Sequence, residues 1–192
     1  MRYFLSSQII AFSFTLISCV NMLKDDKPGE PVELEPVSVN DQYSLAVPKY
    51  MTKTTALNEE ASLQFQNIFK TTYVIVIDEN KQEFIEAYKN VDAYDSSRSA
   101  VDNYCDTQVQ LTSSGMEVIS KTEIKSFDIN GLAATSVEID ANVEGVPAPI
   151  TYFLTFIEGK ETLYMIMAWT FRVKKGTYRG SFEKMARSFK EL

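Results

Sequence analysis

Thr162-Leu163-Tyr164-Met165-Ile166-Met167-Ala168-Trp169-Thr170-Phe171 decides the architecture of this chain. In an extended segment successive side chains point to opposite faces. Leu163, Met165, Met167, Trp169 and Phe171 therefore share one face, and Tyr164, Ile166 and Ala168 the other. Both faces are apolar, which predicts a central strand covered on both sides by helices or loops. A strand over 71–78 has the same character, because Tyr73-Val74-Ile75-Val76-Ile77 is apolar at both parities.

Downstream of the central strand the period changes. Tyr178, Phe182, Met185, Ala186 and Phe189 trace one stripe of a helix predicted over 175–192. Lys184, Arg187 and Lys190 put positive charge toward its C-terminal end, where the helix dipole favours it. Upstream lies a meander. A strand over 150–157 follows the break Glu144-Gly145-Val146-Pro147, and one over 132–143 follows Asn130-Gly131, a pair suited to the positive φ of a hairpin turn. A long polar strand over 116–129 precedes it, with Lys121, Glu123 and Lys125 at one parity facing solvent.

The first half supplies the remaining elements. Tyr43-Ser44-Leu45-Ala46-Val47-Pro48 reads as an alternating strand that proline ends, and 61–68 as a second strand with Leu63 and Phe65 alternating with Gln64 and Gln66. Helical spacing over 81–91 aligns Phe84, Ile85, Tyr88 and Val91. A second helix over 98–111 aligns Val101, Tyr104, Cys105 and Val109. The order predicts an α+β fold, an antiparallel β-sheet flanked by helices on both faces as an α/β/α sandwich.

With Tyr43-Ser44-Leu45-Ala46-Val47-Pro48 at its head and the apolar penultimate strand followed by Phe182-x-x-Met185-Ala186-x-Ser188-Phe189 at its end, this order resembles the PsbP-like fold. That fold is shared by an extrinsic subunit of plant photosystem II and a yeast Ran-GTPase nucleotide-release factor. The resemblance spans 41–192 and implies one globular domain. It carries over no functional residue, because a strand ending in proline and a Phe-x-x-Met-x-x-Ser-Phe helix are core signatures rather than active-site motifs.

The N-terminus carries a different kind of information. Arg2, an apolar segment from Leu5 to Ile17 and Leu16-Ile17-Ser18-Cys19 occur in the order of a bacterial lipoprotein signal, which the string Leu-x-Ser-Cys resembles as a lipobox. The resemblance implies a signal peptide over 1–18 and acylation of Cys19 with palmitate-type chains, and hence a lipid anchor in a bacterial cell envelope, with the outer membrane favoured. The apolar run is too short and too interrupted to span a bilayer, which needs about 20 apolar residues. Pro28, Gly29, Pro31, Pro36 and several carboxylates over 19–40 read as an acidic tether. Within it Lys24-Asp25-Asp26 is similar to surface-export signals of some Gram-negative lipoproteins, and equally reads as a solvated tail.

Composition narrows the function. The whole chain has 19 basic and 26 acidic residues; removal of 1–18 takes away Arg2 only and leaves a formal charge of −8. Acidic balance without a basic stripe excludes nucleic acid as a partner, and it leaves the acyl chains rather than net charge to hold the membrane. The chain contains no histidine, and no Gly-x-Ser-x-Gly, phosphate-loop or Cys-x-x-Cys string. Cys105 is then the one cysteine of the mature chain and is expected to be buried and inert.

Glu59/Glu60, Asp78/Glu79, Asp92/Asp95 and Glu138/Asp140 are paired carboxylates, and Asp92 and Asp95 fail the spacing of a calcium loop. Arg98, Asp102 and Asp106 read as a salt-bridged helix face. Tyr152, Phe153, Phe156, Tyr164, Trp169 and Phe171 read as core, with a pocket for an apolar or sugar ligand as the second reading. No catalytic, cofactor or metal residue is assigned. The chain is expected to be a non-enzymatic, membrane-anchored lipoprotein that binds an envelope protein partner. The alternatives are a small-ligand carrier or a hydrolase using carboxylates alone.

Overall fold

The computed structural model describes residues 32–192. Eleven strands and three helices follow in the order β1 (Leu34–Val39), β2 (Tyr43–Pro48), β3 (Thr52–Lys53), β4 (Leu63–Asn67), β5 (Thr72–Asn80), α1 (Lys81–Asn90), α2 (Ala100–Ser114), β6 (Glu117–Lys121), β7 (Lys125–Ile129), β8 (Leu132–Asn142), β9 (Ile150–Glu158), β10 (Thr162–Phe171), α3 (Lys175–Arg187) and β11 (Lys190–Glu191). The large sheet runs β3-β4-β5-β10-β9-β8-β6, with β7 also on β8, and a small sheet runs β1-β2-β11. Every pairing is antiparallel. The fold is α+β.

β10 lies in the middle of the large sheet, between β5 and β9. Its two apolar faces serve two cores. Tyr164, Ile166 and Ala168 join Val74 and Val76 of β5, Tyr43, Leu45 and Val47 of β2, and Tyr178, Phe182 and Met185 of α3. Leu163 and Met165 join Phe156 of β9, Phe84 of α1, and Val101, Tyr104, Cys105 and Val109 of α2. The small sheet and α3 thus cover one face, and α1 and α2 the other. At the end of β10, Trp169 and Phe171 are only half-buried, beyond the reach of the helices.

The helix starts are set by local chemistry. Asn80 caps α1 by accepting from the Glu83 N–H, and Ser99 caps α2 by accepting from the Asp102 N–H while donating its hydroxyl to the Asp102 carboxylate. Each such cap stabilises by about 0.5–2 kcal/mol. Asn130 and Gly131 both take positive φ, 52° and 87°, in the β7–β8 turn, as a type I′ hairpin requires.

Five expectations change. Leu34–Val39, read as tether, is β1 and pairs along its length with β2; the domain therefore begins before residue 41. The strand over 116–129 is two strands, because β6 carries a bulge between Val118 and Ser120 and Thr122 then binds Glu138 through both its N–H and its hydroxyl. The last helix stops at Arg187. Ser188 ends it by donating to the Met185 carbonyl and accepting from the Ala46 N–H, and the chain turns into β11 on β2. Phe189 nonetheless stays buried, stacked on Tyr43 and tilted against Tyr164. Arg98 lies ahead of α2 and pairs with Asp106, while Asp102 serves the cap. Val91, placed on the apolar stripe of α1, is exposed beyond its end.

Cys19, the signal peptide expected over 1–18 and most of the tether expected over 19–40 lie outside the described residues. Among the described residues no helix is long and apolar enough to cross a membrane.

Candidate functional site

Strand parity turns Glu138 and Asp140 of β8 toward the face that carries α3. Asp140 is 5% exposed. Its Oδ1 accepts from the Thr151 hydroxyl at 2.6 Å and Lys175 Nζ at 3.0 Å, and its Oδ2 accepts from the Ser120 hydroxyl at 3.0 Å and Arg172 Nε at 3.2 Å. Thr151 is the register partner of Asp140 on β9, and Ser120 its partner on β6. Lys175 also reaches Glu138 at 3.0 Å, and Arg179 reaches Glu138 at 2.7 Å. Burial alone pushes the Asp140 carboxyl up. Hydrogen bonds from Thr151, Lys175 and Ser120, with the lysine charge, outweigh that and hold it below the ordinary value. Every oxygen lone pair in reach is used, so this group is an ionised hub with no proton to give.

A surface groove begins at this hub and runs along α3. Glu183, Ala186 and Arg187 of α3 form one wall, and Lys125, Ser126 and Phe127 of β7 the other, over a volume of about 320 Å³. At one end stand the Arg179–Glu138–Lys175 ion pairs. At the other, the Asn130 amide donates to the Phe189 carbonyl at 2.7 Å and ties the β7–β8 turn to the end of α3. Arg187 lies over the Phe127 ring, 5.0 Å from its centroid. The floor opens beneath α3 into a pit of about 50 Å³ lined by Phe153, Ile166, Ala168, Phe182 and Met185 among others. From Arg179 to Arg187 the helix rises about 12 Å, the length of three or four extended residues.

The other candidates are accounted for locally. Asp95 accepts from the Ser97 N–H and hydroxyl, which hold it below the ordinary value, and it organises the loop before α2. Glu79 is half-buried on the opposite sheet face. Burial raises it, and hydrogen bonds from Tyr104 and Gln108 at 2.9 Å and 2.8 Å leave it structured. The raised and the lowered carboxyl thus lie on opposite faces of one sheet, whereas acid and base of a carboxylate hydrolase share a cleft. Among the described residues no three carboxylates, cysteines or histidines converge as metal ligands. Cys105 is fully buried, and burial pushes its thiol up to about 11, with the Thr135 hydroxyl drawing it down by less.

Tyr73, Trp169 and Tyr152 are register neighbours on β5, β10 and β9. The Tyr73 and Trp169 rings stack at 5.2 Å and 13°, and Tyr152 leans on Trp169 at 6.2 Å and 34°. Trp169 thus has a tyrosine ring packed against it on either side, which closes its indole to a stacking sugar ligand. Phe153, Phe156 and Tyr164 are core.

The hub was legible only in part. Glu138 and Asp140 share a parity, but their partners lie 11 to 41 residues away. The groove had no sequence signal, since its walls come from unrelated segments.

No family model and no curated protein matches the chain. Among solved structures it is similar to the solution structure of the cyanobacterial PsbP of Synechocystis, with a TM-score of 0.55, 14% identity, and coverage of 88% of this chain and 99% of that one. It is also similar to a crystal structure from Bacteroides thetaiotaomicron, at 0.50 and 10%, covering 81% of this chain and 47% of that one. A third is a Pseudomonas aeruginosa protein of unknown function, at 0.46 and 12%, covering 81% and 95%. The shared feature is the fold: this domain is PsbP-like.

Proposed function

We propose that this PsbP-like domain is a non-enzymatic binding module, anchored by acylated Cys19 in a bacterial cell envelope, whose groove between α3 and β7 takes a short extended segment of an envelope protein. The observation that carries the reading is the groove itself. It is narrow, held at both ends, lined by charges of both signs from Lys125, Glu183 and Arg187, and floored by an apolar pit. Such a site suits a peptide with one apolar side chain for the pit and polar neighbours for the walls. The outer membrane is the proposed location, and the anchor is the acyl chain at Cys19.

Two features weigh against the small-ligand and hydrolase alternatives. Of the aromatic side chains proposed to line a pocket, Phe153, Phe156 and Tyr164 are core and Tyr152 and Trp169 pack on one another, which leaves only the half-buried Phe171. The two perturbed carboxyls, Asp140 and Glu79, are separated by the sheet.

A photoreactive residue at position 126, in the acylated full chain in its own cells, tests the proposal. One envelope protein captured at 126 and lost in Ala186→Trp or Glu183→Lys, but retained in Leu111→Trp, is the expected result. Capture insensitive to the groove substitutions, or equal capture from position 111, defeats it. Separately, Cys19→Ser should abolish incorporation of labelled palmitate, and unchanged incorporation defeats the anchor.

A further inference from the structure

Two adjoining turns at one end of the large sheet hold large apolar side chains out in water. Ile68 and Phe69, in the β4–β5 turn, are 58% and 84% exposed, and Val173, in the 3-10 turn over Arg172–Lys174, is 87% exposed. The turns are joined: Lys174 Nζ donates to the Lys70 carbonyl at 3.2 Å, and the last register pair of β5 and β10 is Thr72 with Thr170. Single exposed apolar residues are ordinary, but three on contiguous turns form a projecting patch.

The segments that carry and adjoin this patch hold basic residues and no carboxylate of their own. Lys49, Lys53, Lys70, Arg172, Lys174 and Lys175 lie in the segments 49–54, 67–72 and 172–175, which contain no Asp or Glu. Arg172 and Lys175 answer to the hub, and Lys49 to the exposed Glu33. The opposite end of the sheet carries Asp78, Glu79, Glu158, Glu161 and Glu191. Net charge therefore misdescribes the tip. In physiological salt a charge is felt over only about 8 Å; there Glu33, Glu138 and Asp140 offset Lys49, Arg172 and Lys175, and Lys53, Lys70 and Lys174 give the tip its basic character although the chain is acidic.

The chain enters the domain at this same end. Leu34 pairs with Pro48, and the Lys49 N–H donates to the Glu33 carbonyl at 3.0 Å. The Asn67 amide donates to the Tyr50 carbonyl at 2.7 Å, which binds that corner to the β4–β5 turn. The segment between Cys19 and residue 32 reaches about 45 Å when fully extended. An anchor at Cys19 would thus join the domain at this tip, and a tether of that reach leaves the orientation to the tip's own contacts.

We propose that Ile68, Phe69 and Val173 insert into the interface of an anionic bilayer, with Lys70 and Lys174 on the headgroups, so that the domain is seated in a defined orientation on its membrane. The patch is convex and apolar with a cationic rim, the form that fits an interfacial layer of acyl chains under anionic headgroups. The nearness of this tip to the membrane rests on the proposed lipid anchor at Cys19; its insertion does not. In this pose the small sheet's β1–β2 edge and the start of the groove lie nearest the membrane, and the acidic end faces away.

The test uses the full chain in its own membranes and, after purification, in vesicles of phosphatidylethanolamine and phosphatidylglycerol. Benzoylphenylalanine replaces Phe69 in one variant and Leu111, on α2, in another, with palmitate incorporation measured on the same samples. Phospholipid adducts at 69 and none at 111, falling about tenfold in Lys70→Glu/Lys174→Glu, are the expected result. Palmitate incorporated but no lipid adduct at 69 overturns the insertion and leaves the anchor. Lipid adducts at 69 without palmitate remove the anchor and leave the insertion. A protein adduct at 69 in place of lipid overturns the insertion and assigns the tip to a protein contact.

Discussion

The two faces of the large sheet bury a carboxylate each and treat it in opposite ways. On the α3 face Asp140 is almost fully covered, yet hydrogen bonds from Thr151, Lys175 and Ser120 and the charge of Lys175 keep it below its ordinary value of 3.8. On the α1/α2 face Glu79 is less buried, yet two neutral donors leave burial in control and raise it above 4.5. The difference teaches that burial pushes both carboxyls up, and that charged donors in sufficient number override it.

That contrast is most severely broken by emptying one face. Phe182→Ala removes a ring packed on Tyr178 and Phe153 and is expected to cost about 3–5 kcal/mol, read from urea unfolding midpoints. A cost below 1 kcal/mol would mean that α3 is not the cover of that face.

Asp140→Asn comes next. Arg172 and Lys175 lose their counter-charge, and a loss of about 2–3 kcal/mol at neutral pH is expected, less than for a fully enclosed pair because Arg172 is half-exposed. The pH dependence sharpens the point. A depressed carboxyl contributes stability that is present above its unfolded value and lost as pH falls through its folded one, so the wild-type advantage over Asp140→Asn should start to shrink at about pH 4 and vanish only at more acid pH, below the folded value.

Trp169→Ala is expected to cost about 1–2 kcal/mol, because the side chain is half-buried and its gain comes from stacking on Tyr73 and Tyr152. A core-sized loss in the unfolding midpoint would place it with Phe182 instead.

Glu79→Gln should act in the opposite direction to Asp140→Asn. Its Oε1 can still accept from Tyr104 and Gln108, while the cost of ionising a half-buried group disappears. A raised carboxyl favours the fold below its unfolded value and loses that contribution as pH rises through the folded one. The variant should therefore gain stability at neutral pH, by less than about 1 kcal/mol, and show a flatter profile above pH 4.5. A destabilised variant at neutral pH would mean that the carboxylate, and not its burial, is what this face uses.

The smallest effect is expected at Cys105. With its thiol pushed up to about 11 and no exposed surface, it should react with a disulfide reagent only as fast as the domain opens, and prompt reaction in the native state would contradict its burial.

How much of this was legible in the sequence follows from the range of each interaction. β10 and β5 announced their burial because alternation is a property of neighbouring residues, and Asn130-Gly131 announced a turn because positive φ is a property of those two residues. Phe189 misled for the same reason. Its spacing continues the stripe of α3, but Ser188 ends the helix through a bond to the backbone of β2, a contact 142 residues away. Leu34–Val39 misled in the other direction: its proline and glutamate read as tether, and only pairing to β2 makes it a strand. Gln64 alternates with Phe65 like a solvent-facing residue, yet it is buried, because its amide accepts from the N–H groups of Leu57 and Asn58 and holds the loop before β4.

By itself the sequence determined the class of fold, the central place of β10 and the buried stripes of α2 and α3, all of them consequences of local periodicity set against the hydrophobic effect. The tertiary structure alone decided which carboxyl is held ionised, where the groove lies and which end of the sheet is cationic. Those properties depend on donors, walls and charges contributed by segments distant along the chain, and only the closed sheet brings them within the few ångströms over which hydrogen bonds and screened charges act.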